Sequence, residues 1–338
     1  MRQVLFVSLR DDDRIARLTL DESGALEPLE PVAVSGGPAP LAVDPRHRFL
    51  YVGQRRSRQI SSYAIHPGGE LRLLGTISVR SDPNFMVTDR TGAYLLSSYY
   101  RGEGVHVHAV RDGGSLEPEA VEWRDTALSA HSFQTDPGNR FAYALHIAAG
   151  VGPNAIWQYR FDAESGRLAP FDPPLVHARN DAGPRHCCFH PRLPLLYACN
   201  EQGSSVTRYR YDPTTGALSK EDTVSMVPAG YTGTTGCTQI RITADGGRLF
   251  APLGGHDSIV SFVVDTDGAL RVSGHAPTES GPRAFGLDAG ERFVLSTGTT
   301  SGSLSVFRIG GPDGRLTRVA RAPLGNTPMW VIAVPAEP

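Results

Sequence analysis

Asp162-Ala163-Glu164-Ser165-Gly166-Arg167-Leu168 reads as a polar turn that hands over to a strand, and its closing Gly-x-Leu step is written seven times along the chain. The other copies are Gly24-Ala25-Leu26, Gly69-Glu70-Leu71, Gly114-Ser115-Leu116, Gly216-Ala217-Leu218, Gly268-Ala269-Leu270 and Gly314-Arg315-Leu316. They lie roughly 45 to 52 residues apart, the period expected of a propeller blade. Polar or acidic residues precede each glycine. A hairpin turn needs this: neighbours that tolerate positive φ, and glycine where a Cβ would clash.

Two further elements repeat with the same period. One is a turn followed by a short aromatic or aliphatic strand, clearest at Asp44-Pro45-Arg46-His47-Arg48-Phe49-Leu50-Tyr51-Val52. Its relatives run over 136–143, 190–197, 245–250 and 288–294, with His190 standing where the others have an acid. The other element alternates small polar with apolar residues, as in Ile60-Ser61-Ser62-Tyr63 and Leu304-Ser305-Val306-Phe307. Alternation of period two marks half-buried strands, and no amphipathic helix is evident. A last strand, Met329-Trp330-Val331-Ile332-Ala333-Val334, follows the seventh repeat, while the first repeat begins at Val4-Leu5-Phe6-Val7 without an inner strand. The expected fold is therefore all-β: a seven-bladed β-propeller over 1–338 as one domain, closed by the C-terminal strand joining the N-terminal blade.

Composition narrows the function. Apolar residues make up 40% of the 338 positions and charged residues 20%, enough apolar material for a large core. A formal charge of −2 argues against a nucleic-acid or anionic-membrane partner. Lys220 is the only lysine, which removes Schiff-base chemistry from consideration. Cys187, Cys188, Cys199 and Cys237 have neither zinc nor CxxC spacing and read as small buried apolar groups. The apolar run at Val4 is too short for a signal peptide and no segment reaches the length of a spanning helix, so a cytoplasmic protein is expected. HExxH, P-loop, dinucleotide and GxSxG patterns do not occur.

Inner strands line the channel of a propeller. Aligned on their turns, they predict a ring of Ala39, Pro83, His131, Arg185, Thr238, Arg283 and Met329, with His186, Gln239 and Trp330 adjacent. Two guanidiniums and an imidazole at one cavity mouth would bind a carboxylate or phosphate. The competing reading is structural: the arginines tie loop carbonyls, and His186 packs between blades. Asn200-Glu201, ending the strand from Leu195, would add a carboxylate able to act as general base. Its competing role is to neutralise Arg185 or Arg208.

Several segments carry a resemblance to a known family: Gly183-Pro184-Arg185-His186, Phe189-His190-Pro191, Tyr197-Ala198-Cys199-Asn200-Glu201, Gly281-Pro282-Arg283 and Pro328-Met329-Trp330-Val331. Over essentially its whole length the chain resembles the seven-bladed propeller lactonases, known for bacterial 6-phosphogluconolactonase and fungal carboxymuconate cyclase. The resemblance implies action on a small anionic lactone without cofactor or metal, with His131, Arg185 and Glu201 catalytic. Arg283, His186, Asn200, Gln239 and Trp330 are then expected to bind substrate, in a monomer or weak homodimer. Two departures stand out. The arginine the family often carries after the sixth blade's second strand is missing from Ala251-Pro252-Leu253-Gly254-Gly255-His256. An acid expected after the fourth blade's second strand appears as His146, followed by an extra 148–153 loop. Three alternatives stay open: a lactonising cyclase, a metal-dependent lactonase recruiting Glu201, Asn200, Asn84 and Asn154, and a binding propeller using Tyr99, Tyr100 and Tyr231.

Overall fold

Seven antiparallel sheets make up the computed structural model, which describes residues 2–102, 104–180 and 182–336. Blade 5 shows the plan. Its inner strand is Pro184–Phe189, followed outward by Leu195–Asn200, Ser205–Tyr211 and Leu218–Ser225. Blades 2, 3, 4, 6 and 7 begin at inner strands Pro38–Val43, Pro83–Thr88, Ala130–Thr135, Gly236–Cys237 with Arg241–Ile242, and Pro282–Leu287. In blade 1 the inner strand is Pro328–Pro335, paired antiparallel with Gln3–Leu9, so the two ends of the chain share one sheet. This is the predicted closure. The only helix among the described residues is a short 3-10 turn at Pro67–Gly69.

Burial follows the same plan. Second strands lie between the faces of two neighbouring blades and are buried except at some of their ends, as in Leu195–Asn200. They accordingly open on apolar runs such as Leu195-Leu196-Tyr197-Ala198. Outer strands mix partly buried and exposed positions, as in Leu26–Ala33. The core is divided into seven apolar clusters, one at each junction between blades. Val4, Phe6, Leu41, Leu50 and Trp330, for example, join blades 1 and 2.

The Gly-x-Leu steps fasten these junctions. All seven glycines have positive φ, from 68° at Gly314 to 94° at Gly24. Six press on the first residue of a second strand in the preceding blade: a Cβ on Gly216 would lie 2.4 Å from Phe141, and one on Gly268 2.1 Å from Leu195. The seventh, Gly69 in blade 2, meets Val4 of blade 1 in the same way. Asp44, Asp136 and Asp288 cap the turn behind the inner strand by accepting backbone N–H bonds. In blade 5 His190 does this through Nδ1, accepting from Arg192 at 3.1 Å and Leu193 at 3.0 Å.

One local device repeats at the channel. A residue with positive φ (Ser129, Gly183, Gly281, Thr327) precedes the first residue of the inner strand, which is proline in all but Ala130. The register then slips, so that the following residue has no partner on the second strand: His131 between Ala130 and Ser132, Arg185 between Pro184 and His186. The same bulge carries Asn84 in blade 3 and Met329 in blade 1. A bulge re-aims a side chain out of the ladder, here toward the axis. This register corrects the expected ring. Its blade 3 member is Asn84, one residue beyond Pro83, because the proline occupies the paired position opposite Tyr99.

Candidate active site

The bulged residues converge. Ala39, Asn84, His131, Arg185, Arg283 and Met329 line one hollow at this end of the channel, with His186, Gln239 and Trp330 at its floor. Phe85, His186 and Trp330 meet across the axis in T-shaped and tilted contacts, with ring centroids 5.1 to 5.8 Å apart, and plug the channel below. His186 therefore sits on the axis and not, as the structural reading had it, between two blades. The hollow measures about 10 Å³, the room of a single water. A sugar-sized molecule has to lie above it, in the mouth.

Glu201 stands at that mouth, with a third of its side chain exposed (33%). It follows the last residue of its strand and is held by its own N–H, which donates to the Gly183 carbonyl at 2.7 Å. The two carboxylate oxygens differ. Oε2 accepts from Arg185 Nε at 2.5 Å and lies 3.8 Å from His131 Nε2. Oε1 has no hydrogen-bond partner among the described residues and is available to a ligand. Arg185 is buried, and its Nη1 donates to the Thr238 carbonyl of blade 6, which locks the guanidinium in place. Arg208, the other candidate partner of Glu201, has its own acids: Glu221 at 2.9 Å and Asp222 at 3.1 Å.

His131 is held in one tautomer. Asn84 Nδ2 donates to its Nδ1 at 2.8 Å, so the ring proton sits on Nε2, the atom that faces Glu201. Tyr100 packs edge-on against the imidazole at 5.5 Å. Burial, then the charges of Arg185, His186 and Arg283, drive its pKa well below the usual histidine value. His131 is therefore a neutral donor at neutral pH.

Arg283 carries the strongest electrostatic signal. Its guanidinium has neither a hydrogen bond nor an ion pair among the described residues, and it lines the hollow. Burial first, then Arg185 and Arg55, pull its pKa down to about 9, with Glu201 acting against them. It stays charged at neutral pH, and a site that leaves a guanidinium unanswered is complementary to an anion. Arg55 also lines the hollow but is paired with Asp82 at 2.6 Å.

The remaining expectations fall differently. Asn200 is fully buried and donates into its own blade, to Ser205 at 2.9 Å and Thr207 at 2.8 Å, so it does not reach the mouth. Gln239 and Trp330 do line the hollow. Thr238 supplies a carbonyl rather than a side chain, because the inner strand of blade 6 breaks there. His146 is buried on Thr126 at 2.8 Å, and its neighbour Ile147 takes the step that Glu201 takes in blade 5. The extra loop rims the mouth, Ala148 N–H reaching Gln202 at 3.3 Å. Asn154 accepts from the Gly183 N–H at 2.8 Å and Asn84 is committed to His131, so the oxygens recruited for a metal site are spread among other tasks. Tyr99 is fully buried and offers no docking aromatic. Arg55 was missed in the sequence, and Asn84 and Tyr100 were named there only for a metal site and a docking face. The available signal was that ring residues follow the first residue of the inner strand, which is usually proline.

Comparison with known proteins agrees with this architecture. Residues 5–333 match the family described as Lactonase, 7-bladed beta-propeller. The chain is 33% identical over 332 residues to the 6-phosphogluconolactonase of Serratia proteamaculans, covering 98% of each chain. The 6-phosphogluconolactonase of Pectobacterium carotovorum is likewise 33% identical, with 98% of both chains covered. Among solved structures, the periplasmic gluconolactonase PpgL of Pseudomonas aeruginosa superimposes with a TM-score of 0.89 at 25% identity, over 99% of both chains. Among the described residues no helix is long and apolar enough to cross a membrane.

Proposed function

Since this chain belongs to the seven-bladed β-propeller lactonase family, we propose that it hydrolyses a small anionic lactone of the 6-phosphogluconolactone kind, bound in the mouth above the His131–Arg185–Arg283 ring. The observation that carries the reading is Arg283: a half-buried guanidinium lining the hollow, with no hydrogen bond or ion pair among the described residues.

The chemistry follows from the two faces of Glu201. Arg185 occupies Oε2 and fixes the carboxylate plane; Oε1 takes a proton from water as that water attacks the lactone carbonyl. Negative charge then develops on the carbonyl oxygen, where Arg185 stabilises it without reorganising. Collapse breaks the bond to the ring oxygen, and the proton held by Glu201 passes to that leaving oxygen. His131, neutral and with its proton on Nε2, faces Oε2 and can donate to the substrate. Arg283 holds the phosphate or carboxylate distal to the reacting centre. No step requires a nucleophile from the protein.

The test compares D-glucono-1,5-lactone 6-phosphate with unphosphorylated glucono-1,5-lactone. In Arg283→Met, KM for the phosphorylated lactone should rise about tenfold or more, with the unphosphorylated one little changed. Equal losses on both substrates, or no lactone hydrolysis by the native protein, would overturn the assignment.

A further inference from the structure

Beneath the plug of Phe85, His186 and Trp330 the channel widens into a second cavity of about 560 Å³, lined by later residues of the inner strands. It faces away from the ring, and nothing in the hydrolysis uses it. Most of its wall is apolar, with Val43, Val87 and Ile332 among the contributors. Two guanidiniums, Arg90 and Arg241, also reach it, against one carboxylate, Glu291.

Neither arginine forms an ion pair among the described residues, although Asp136 and Asp89 lie within electrostatic reach of Arg90. Arg241 leaves the interrupted inner strand of blade 6. Its Nη1 donates to the carbonyl of its neighbour Ile240 at 2.8 Å, and its Nη2 makes a long 3.4 Å contact with Gln239 Oε1. No carboxylate forms an ion pair with it among the described residues. Arg90 donates to the carbonyls of Asp136 at 3.0 Å and Thr135 at 2.7 Å, and likewise has no ion pair. Glu291 is occupied by the Ala244 N–H at 2.7 Å. Burial lowers the pKa of both arginines; Asp136 and Asp89 act against it at Arg90, and only thiols do so at Arg241. Two positive groups and one negative leave the lining at a net single positive charge. An apolar cavity with that surplus fits a monoanion with an apolar body.

We propose that the lower cavity is a second ligand site, taking a small aromatic or branched monocarboxylate whose carboxylate pairs with Arg241 and Arg90. The guanidinium fork of Arg241 supplies the anchor, and the inner-strand valines and isoleucine hold the body. The site is separated from the ring by the plug and stands whether or not lactones are the substrate.

Calorimetric titration of the intact protein with phenylacetate, and with its neutral counterpart phenylacetamide, tests this directly. Phenylacetate should bind at least about tenfold more tightly than phenylacetamide, and Arg241→Met should abolish that preference. The preference for the acid should persist in Arg283→Met, in which the anion-holding group of the ring is removed. A crystal grown in phenylacetate should show it against Arg241. Equal binding of acid and amide, or density at the ring instead, would overturn the proposal. Should Arg241→Met fail to fold, the acid–amide comparison and the crystal on native protein decide the matter alone.

Discussion

Asn84 shows how much of a site can rest on one neutral side chain. Its Nδ2–H bond to His131 Nδ1 sets the proton on the nitrogen that looks toward Glu201. An imidazole buried among Arg185, His186 and Arg283 cannot protonate to escape the loss of that partner. In Asn84→Ala the ring is therefore expected to populate both neutral tautomers. Nitrogen NMR of the imidazole should show the change, with kcat falling roughly tenfold and the fold intact. Unchanged imidazole shifts would remove Asn84 from the positioning role. The proton on Nε2 could not be read from sequence, since it depends on a contact between residues 84 and 131 that only the ring brings together. Arg185 and Glu201 were legible in segments with a recognisable neighbour pattern, and His131 in the alignment of the inner strands. Asn200 misled for the same reason. It is adjacent to Glu201, but in a strand successive side chains face opposite ways, and this one turns into the blade.

The blade is the element on which the sequence was most informative. The seven Gly-x-Leu steps mark the outer turns, and their positive φ explains why glycine is written there. At Gly216 two demands coincide: φ is +77°, and a Cβ would stand 2.4 Å from the Phe141 ring of the preceding blade. Gly216→Ala should accordingly cost about 2–3 kcal/mol, read as a lower urea midpoint without a change of slope. A midpoint within error of the native protein would show that the junction between blades 4 and 5 is not fastened there. The inner strands were harder to read. Their bulges shift register by a residue after the opening proline, and an alignment by turn motifs alone does not reveal where a ladder skips. That is how Pro83 displaced Asn84 from the expected ring, whereas Gly183-Pro184-Arg185 and Gly281-Pro282-Arg283 fell in the right place. Blade 6 was the least legible: its inner strand is broken between Cys237 and Arg241, and no periodicity survives across the gap.

Across the whole molecule, a propeller that gathers cations at its axis has to keep its buried histidines neutral. Burial holds His108 and His146 at a pKa of about 4, against an ordinary value of 6.5, and holds His131 and His186 well below that value. Between those limits the unfolded chain binds protons that the native rings refuse. Stability is thus fully present above the unfolded value and is lost as pH falls below it, by about 1.4 kcal/mol per pH unit for each ring. Urea midpoints at pH 7.5 and pH 5 should differ in that direction, and a flat profile would contradict the burial of these groups. Ring closure by Pro328–Pro335 brings Met329 and Trp330 beside Arg283 and His186, so the ends of the chain complete the same opening that the middle blades furnish. The most direct test of that opening is a crystal structure of Glu201→Gln with 6-phosphogluconate, the stable product of the proposed reaction. The product is expected in the mouth above the ring, its phosphate on Arg283 and its new carboxylate beside Arg185. Density confined to the lower cavity, or to the outer faces of the blades, would contradict the account.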